Sequence, residues 1–305
     1  MSLVLLNPHW LPEDLGWRLG FGIGAVIGLG VLALRRIIPE SPRWLVTHGR
    51  QQEAEALMRE IEARTDSPAP EDLPELTLQP RQSFGLGVIL PVLLRTYRAR
   101  TILVLALMAA QAFLYNALFF TYALMLTRFY HVPQGRAGLY LLPLAAGNFL
   151  GPLWLGWLFD TLGRRIMLAG TYIISGALLA ATGYGFLQGW FDATTQTLAW
   201  AAIFFIASSA ASAAYLTASE LFPLEIRALA IALFYAFGTA LGGVLAPLVF
   251  GRLIGAGSPL AICGGYLFAG GLMAGAGVLA AFLAVPAEGQ SLEALSTPLS
   301  AAHAD

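Results

Sequence analysis

Seven stretches of this chain run without a charged side chain: residues 19–34, 101–127, 137–159, 166–191, 193–219, 228–251 and 253–287. The hydrocarbon core of a bilayer, about 30 Å thick, is crossed by roughly 20 helical residues rising about 1.5 Å each. Inside lipid every backbone polar group has to be satisfied within the protein, which leaves helices as the economical solution for runs of this length. The first run is short and is completed by residues 15–18. Several others exceed one crossing, so Pro133 and residues 188–196 and 255–259 are read as turns at their ends. Only 11% of the residues are charged and 57% are hydrophobic, against about 25% charged in an ordinary soluble domain. A soluble fold is excluded, and the fold class is an all-helical polytopic membrane bundle of about seven spans.

All 17 basic residues are arginine. Without lysine there is no amine for Schiff-base chemistry, which removes a retinal-type reading of seven helices, and no phosphate-loop lysine. The arginines form no stripe that could track phosphates, so no nucleic-acid partner is expected. The single cysteine, Cys263, lies in an apolar run and reads as a small core hydrophobe. His9, His48, His131 and His303 fall in loops or tails, too far apart for a metal site or catalytic pair. With no acid, histidine or cysteine pair at mid-span, neither an enzyme nor a bound cofactor or metal is expected.

The chain divides into an outside loop (1–14), a first span (15–38), a polar connector (39–100), a six-span bundle (101–287) and a tail (288–305). In the connector, residues 50–64 favour a surface helix, with Leu57 and Ile61 at i, i+4. Residues 65–82 carry Pro68, Pro70, Pro74 and Pro80 and read as a linker. Residues 85–94 read as an interfacial helix interrupted by Pro91. Placing the connector inside puts thirteen arginines on the inner side and four on the outer. The excess of arginine marks the cytoplasmic face, so the expected location is the inner or plasma membrane, with the N-terminus outside and the C-terminus cytoplasmic. Helices in lipid approach through small residues, and three sets recur at four-residue spacing: Gly16, Gly20, Gly24 and Gly28; Gly238 and Gly242; Gly271 and Gly275.

After the third run the chain reads Gly156, Asp160, Gly163, Arg164 and Arg165 with G-x-x-x-D-x-x-G-R-R spacing. Gly163 permits a tight turn, and the arginines can hold Asp160 or the carbonyl end of a neighbouring helix. This loop resembles the signature loop of the major facilitator superfamily. Three further segments are similar to its sugar-porter and organic-ion branches: Pro39-Glu-Ser-Pro-Arg-Trp-Leu45, Glu220-Leu-Phe-Pro223 with Arg227, and Pro286-Ala-Glu288-Gly-Gln-Ser291-Leu-Glu293. The resemblance identifies the seven spans with helices six to twelve of a twelve-helix architecture. It implies that five preceding helices are missing from the chain and are needed for function.

The resemblance further implies alternating access around a midplane site. Gln111 and Asn116 coincide with the second Gln and the Asn of the sugar-porter pattern Q-Q-x-x-G-x-N, while Ala110, Leu114, Phe120 and Thr121 depart from it. Tyr115, Asn148 and Tyr215 are further candidates for substrate contact, Tyr215 standing where the family has a tryptophan. Ser208, Ser209 and Ser212 are read as packing residues. Gly156, Asp160, Gly163, Arg164, Arg165, Glu220 and Arg227 form the expected cytoplasmic gate, with Glu220 pairing either Arg164 or Arg165. The expected function is secondary transport of a small polar metabolite, a sugar or sugar-like molecule. The alternatives are an organic acid or ion, or a non-transporting membrane scaffold. A coupling proton is a possible partner, its carboxylate expected in the missing half.

Overall fold

The computed structural model describes residues 12–35, 37–65, 85–286, 292–296 and 298–299. Arg36, Arg81, His9, His303, the loop before residue 12, the linker after Thr65 and the centre of the 286–293 motif lie outside the described residues. Among the described residues all regular structure is helical. Among the described residues seven stretches are long and apolar enough to cross a membrane: Leu15–Arg35, Arg98–Phe119, Gln134–Thr161, Arg164–Leu187, Ala193–Glu220, Leu224–Gly255 and Pro259–Leu283. The chain forms two compact units, one of Met1–Ile89 with Pro223–Ile226 and Ser296–Asp305, the other of Leu90–Phe222 with Arg227–Leu295.

The first unit contains α1 (Glu13–Arg35). Its Phe21, Val26, Ile27 and Leu29 are each more than 60% exposed, and a Cβ placed on Gly24 or Gly28 would meet nothing within 4 Å. An apolar surface on all sides belongs in lipid or against other helices. The Pro39–Leu45 motif builds a helical hairpin. Ser41 precedes the helix Pro42–Thr47, where Pro42 sits at the first turn, a position at which its fixed φ and missing N–H cost nothing. Gly49 at φ 76° turns the chain, and Arg50 N–H donates to the Leu45 carbonyl at 2.8 Å. The surface helix expected over 50–64 is α2 (Gln51–Thr65). Its buried apolar residue is Ala54; Ile61 stays exposed.

The second unit holds α3 (Arg98–Phe119), α4 (Leu141–Leu155), α5 (Arg164–Leu187), α6 (Ala193–Glu220), α7 (Leu224–Thr239) from Arg227 onward, α8 (Leu245–Gly255) and α9 (Pro259–Leu283). The run 101–127 is not one helix: it breaks at Phe120 and Thr121, where the Thr121 hydroxyl bonds back to the Ala117 carbonyl, and a short helix restarts at Tyr122. The turn read at residues 255–259 separates α8 from α9, with Ser258 capping α9 and Pro259 in its first turn. Between α7 and α8 a wide π turn, Ala240–Val244, replaces α-helix. Pro247 lies one helical period further on and offers no N–H to the Gly243 carbonyl.

Glycines set the helix contacts. On α5, a Cβ at Gly176 would run into the Gly270 carbonyl of α9, and one at Gly270 would lie 2.5 Å from the Gly176 carbonyl. Gly277 meets Ala169 and Ile173 in the same way. Gly147 and Gly151 bring α4 onto the carbonyls of Ala201 and Phe205 in α6, and the Ser208 hydroxyl fits beside Gly151. Gly238 and Gly242 receive Met108, Ala112 and Phe113 of α3. The expected pair Gly271 and Gly275 is corrected, since a Cβ on either would meet open space. Their helix turns Gly270 and Gly277, one heptad apart, toward its neighbour instead. Trp200, Phe204, Tyr172, Tyr266 and Leu107 are fully buried, and Cys263 is buried at 3% exposure.

Candidate functional site

At one end of the bundle, Gly163 stands at φ 96° and ψ 141°, a region L side chains rarely adopt. This reverses the chain between the short helix Leu158–Thr161 and α5. Arg164, the first residue of α5, forms an ion pair with Glu220, the last residue of α6, and lies 3.8 Å from Asp160. Arg164 and Glu220 are only 14% and 15% exposed, while Asp160 is 72% exposed. Each partner occupies the wrong end of its helix: a cation at an N-terminus and an acid at a C-terminus oppose the helix dipoles. Their mutual pairing offsets both.

Arg165 turns elsewhere. Its Nε donates to the Ala281 carbonyl at 2.6 Å, in the last turn of α9, where carbonyls lack intrahelical partners. Arg227 donates to the Phe222 carbonyl across the break between α6 and α7. Gly156 faces the Pro152 carbonyl one turn back, at the mouth of a recess of about 140 Å³ that also reaches Asp160, Arg164 and Ser212. Thus Asp160, Gly163, Arg164 and Glu220 come together, with Arg165 and Arg227 tying down other helix ends nearby in sequence. Arg100, which arginine counting treated only as a topological mark, donates to the carbonyls of Leu221 at 2.8 Å and Leu295 at 2.7 Å. No local spacing in the sequence signals a contact made across more than a hundred residues.

A second recess, of about 250 Å³, is lined by Met108, Gln111, Ala112, Tyr115 and Asn116 of α3, Tyr215 of α6, and Tyr235 and Thr239 of α7. Gln111 Oε1 is buried without a hydrogen-bond partner. The Tyr115 hydroxyl donates to Asn148 Oδ1 at 2.8 Å, linking α3 to α4, and Asn116 Nδ2 donates to the Ala112 carbonyl at 2.6 Å. Behind the recess the buried Tyr172 hydroxyl donates to the Leu107 carbonyl at 3.2 Å. Gln111, Asn116, Tyr115 and Tyr215 therefore share one cavity, and Asn148 reaches it through Tyr115. The lining offers amides and hydroxyls and no charge. Tyr235 and Thr239 were missed by sequence reasoning, although their i, i+4 spacing on an otherwise apolar span is itself a signal.

The family described as Sugar (and other) transporter matches residues 7–298. A putative polyol transporter 2 of Arabidopsis thaliana is 29% identical over 77% of this chain and 51% of its own length. The niacin transporter NiaP of Acinetobacter baylyi is 25% identical over 81% of this chain and 54% of its own. A D-xylose-proton symporter of Escherichia coli is 41% identical over 19% of this chain and 12% of its own. The chain thus spans about half the length of the first two relatives. A match across nearly its whole extent, together with seven membrane-crossing helices, makes this a multi-pass membrane protein of the sugar transporter family within the major facilitator superfamily.

Proposed function

We propose that this bundle moves a small neutral polyhydroxy compound, a sugar or polyol, across the membrane by alternating access, with Gln111, Asn116, Tyr115, Asn148 and Tyr215 forming its side of the substrate site. The observation that carries the reading is the uncharged, hydroxyl- and amide-rich lining of the recess between α3, α6 and α7. Hydrogen-bonding groups at mid-span are costly unless they face a cavity or each other, and the partnerless Gln111 Oε1 is suited to a substrate hydroxyl. The polyol relatives support the same substrate class.

Rocking of two bundles about a midplane site is the general scheme for such transporters, so we place a second helical bundle opposite this one during transport. We assign Gly156, Asp160, Gly163, Arg164, Arg165, Glu220 and Arg227 to a cytoplasmic gate, with the connector and C-terminus on the inner side as the arginine distribution favours. The Arg164–Glu220 pair supports this: it joins the first residue of α5 to the last residue of α6 and depends on their present register. Any coupling proton is carried outside this bundle, because Glu220 is engaged by Arg164.

Uptake of radiolabelled polyol into cells expressing the protein tests the reading. Competition by inositol or xylose but not by nicotinate is expected, and Asp160→Asn is expected to slow uptake at unchanged expression. A second reading, transport of an aromatic acid, is favoured by the niacin transporter relative. Competition by nicotinate alone would establish it and overturn the first.

A further inference from the structure

The recess holds a feature that the amide pattern does not explain. Tyr215 and Tyr235, from α6 and α7, set their rings 6.1 Å apart at 45°, both at the recess wall and 37% and 52% exposed. Tyr235 stands eleven residues into α7, about 17 Å along the helix at 1.5 Å per residue. Its hydroxyl is therefore deep in the span, where a polar group turned toward lipid is disfavoured. The Gln111 and Asn116 amides of α3 line the same recess.

Resting on the neutral-polyol reading above, we infer that Tyr235 is a specificity-determining residue that, with Tyr215, selects cyclic over linear polyols. A ring-shaped polyol carries axial C–H groups together on one face, and that face can lie flat on an aromatic ring while equatorial hydroxyls reach the amides of α3. An extended linear polyol carries hydroxyls along both edges of its chain and presents no comparable apolar face to the rings. Two tilted rings meeting at an angle form a wall that a cyclic face fills and a linear chain does not. Aromatic faces gain about 0.5–1.5 kcal/mol from well-placed contacts beyond area burial, which corresponds to a discrimination of roughly two- to twelvefold.

Saturation-transfer NMR on the 305-residue chain in nanodiscs of deuterated lipid reads this contact directly. Aromatic protons are irradiated, and the signal transferred to the C–H protons of myo-inositol or D-mannitol is recorded. The unaltered protein should transfer to both, more strongly to inositol. Tyr235→Leu, which keeps bulk but removes the ring face, should lower the inositol signal and its affinity about fivefold and leave mannitol within twofold. Tyr235→Phe, which keeps the ring face, should retain the preference for inositol over mannitol, and the circular dichroism spectrum of each variant controls for folding. If Tyr235→Leu weakens both polyols alike, or neither, while Gln111→Ala abolishes binding, the assignment of Tyr235 is overturned and the site stands. If neither polyol binds the unaltered chain, the recess reading falls and takes Tyr235 with it.

Discussion

Two glycine-bearing regions of this protein meet opposite structural outcomes. In α1, Gly16, Gly20, Gly24 and Gly28 recur every fourth residue, yet Gly24 and Gly28 have open space where a side chain would go. In α5 and α9, Gly176 and Gly270 face each other so closely that neither helix has room for a methyl group. Small-residue spacing therefore marks a helix that can be approached closely. It does not say that anything approaches. The second requirement is a complementary notch on the partner, and Gly176 supplies it for Gly270.

The sharpest way to break this comparison is to put the same bulky residue in both places. Gly176→Leu should cost about 3 kcal/mol or prevent a folded monomer, because overpacking at a backbone contact cannot relax through a flexible side chain. Gly24→Leu should change the thermal stability of the purified chain by less than about 1 kcal/mol and in the stabilising direction, since leucine favours helix over glycine. Equal losses at both sites, followed by tryptophan fluorescence in detergent, would show that α1 is packed as tightly as α5.

A next test asks whether polar contacts in the bundle depend on a buried partner in the same way. Arg164→Ala should cost about 2 kcal/mol by leaving Glu220 largely buried without its cation. Joint replacement by Arg164→Met and Glu220→Leu should recover most of that loss in a double-mutant cycle. A smaller effect is expected for Tyr115→Phe, which removes the hydrogen bond to Asn148 and should cost about 0.6 kcal/mol, an ordinary value for interhelical bonds in membranes.

The smallest effect lies at an exposed helix end. Asp192 caps α6 by accepting from the Thr195 backbone N–H at 2.7 Å, and the Thr195 hydroxyl reciprocates toward the Asp192 backbone. That backbone hydrogen bond, aided by the Thr195 hydroxyl, holds the Asp192 carboxyl below its ordinary value of 3.8. A depressed folded-state value means the cap contributes fully above the unfolded value and is lost as pH falls through the folded one. Hydrogen exchange in the first turn of α6 should therefore accelerate only below about pH 3.8. Asp192→Asn, which still caps but does not titrate there, should remove that acid dependence.

Much of the fold was legible because a bilayer-spanning helix is a local object: its length and lack of charge are written in consecutive residues. The candidate site was legible in part. Gln111, Asn116 and Tyr115 stand out as polar groups against an apolar span, Tyr215 came from the family resemblance, and all four share one recess. Tyr235 and Thr239 carried the same kind of signal on α7 but were absorbed into a stretch read for its glycines. Gly271 and Gly275 misled because glycine is abundant on α9, and spacing alone does not reveal which face of a helix meets a neighbour.

By itself the sequence determined that the chain is helical, membrane-crossing and built from seven spans in this order, since hydropathy is summed along one segment at a time. Tertiary structure alone decided that Arg164 rather than Arg165 meets Glu220, that Arg165 holds the end of α9, and that Gly270 rather than Gly271 meets α5. Neighbouring residues on a helix point about 100° apart, so a choice between two adjacent side chains depends on where a helix a hundred residues away presents its backbone.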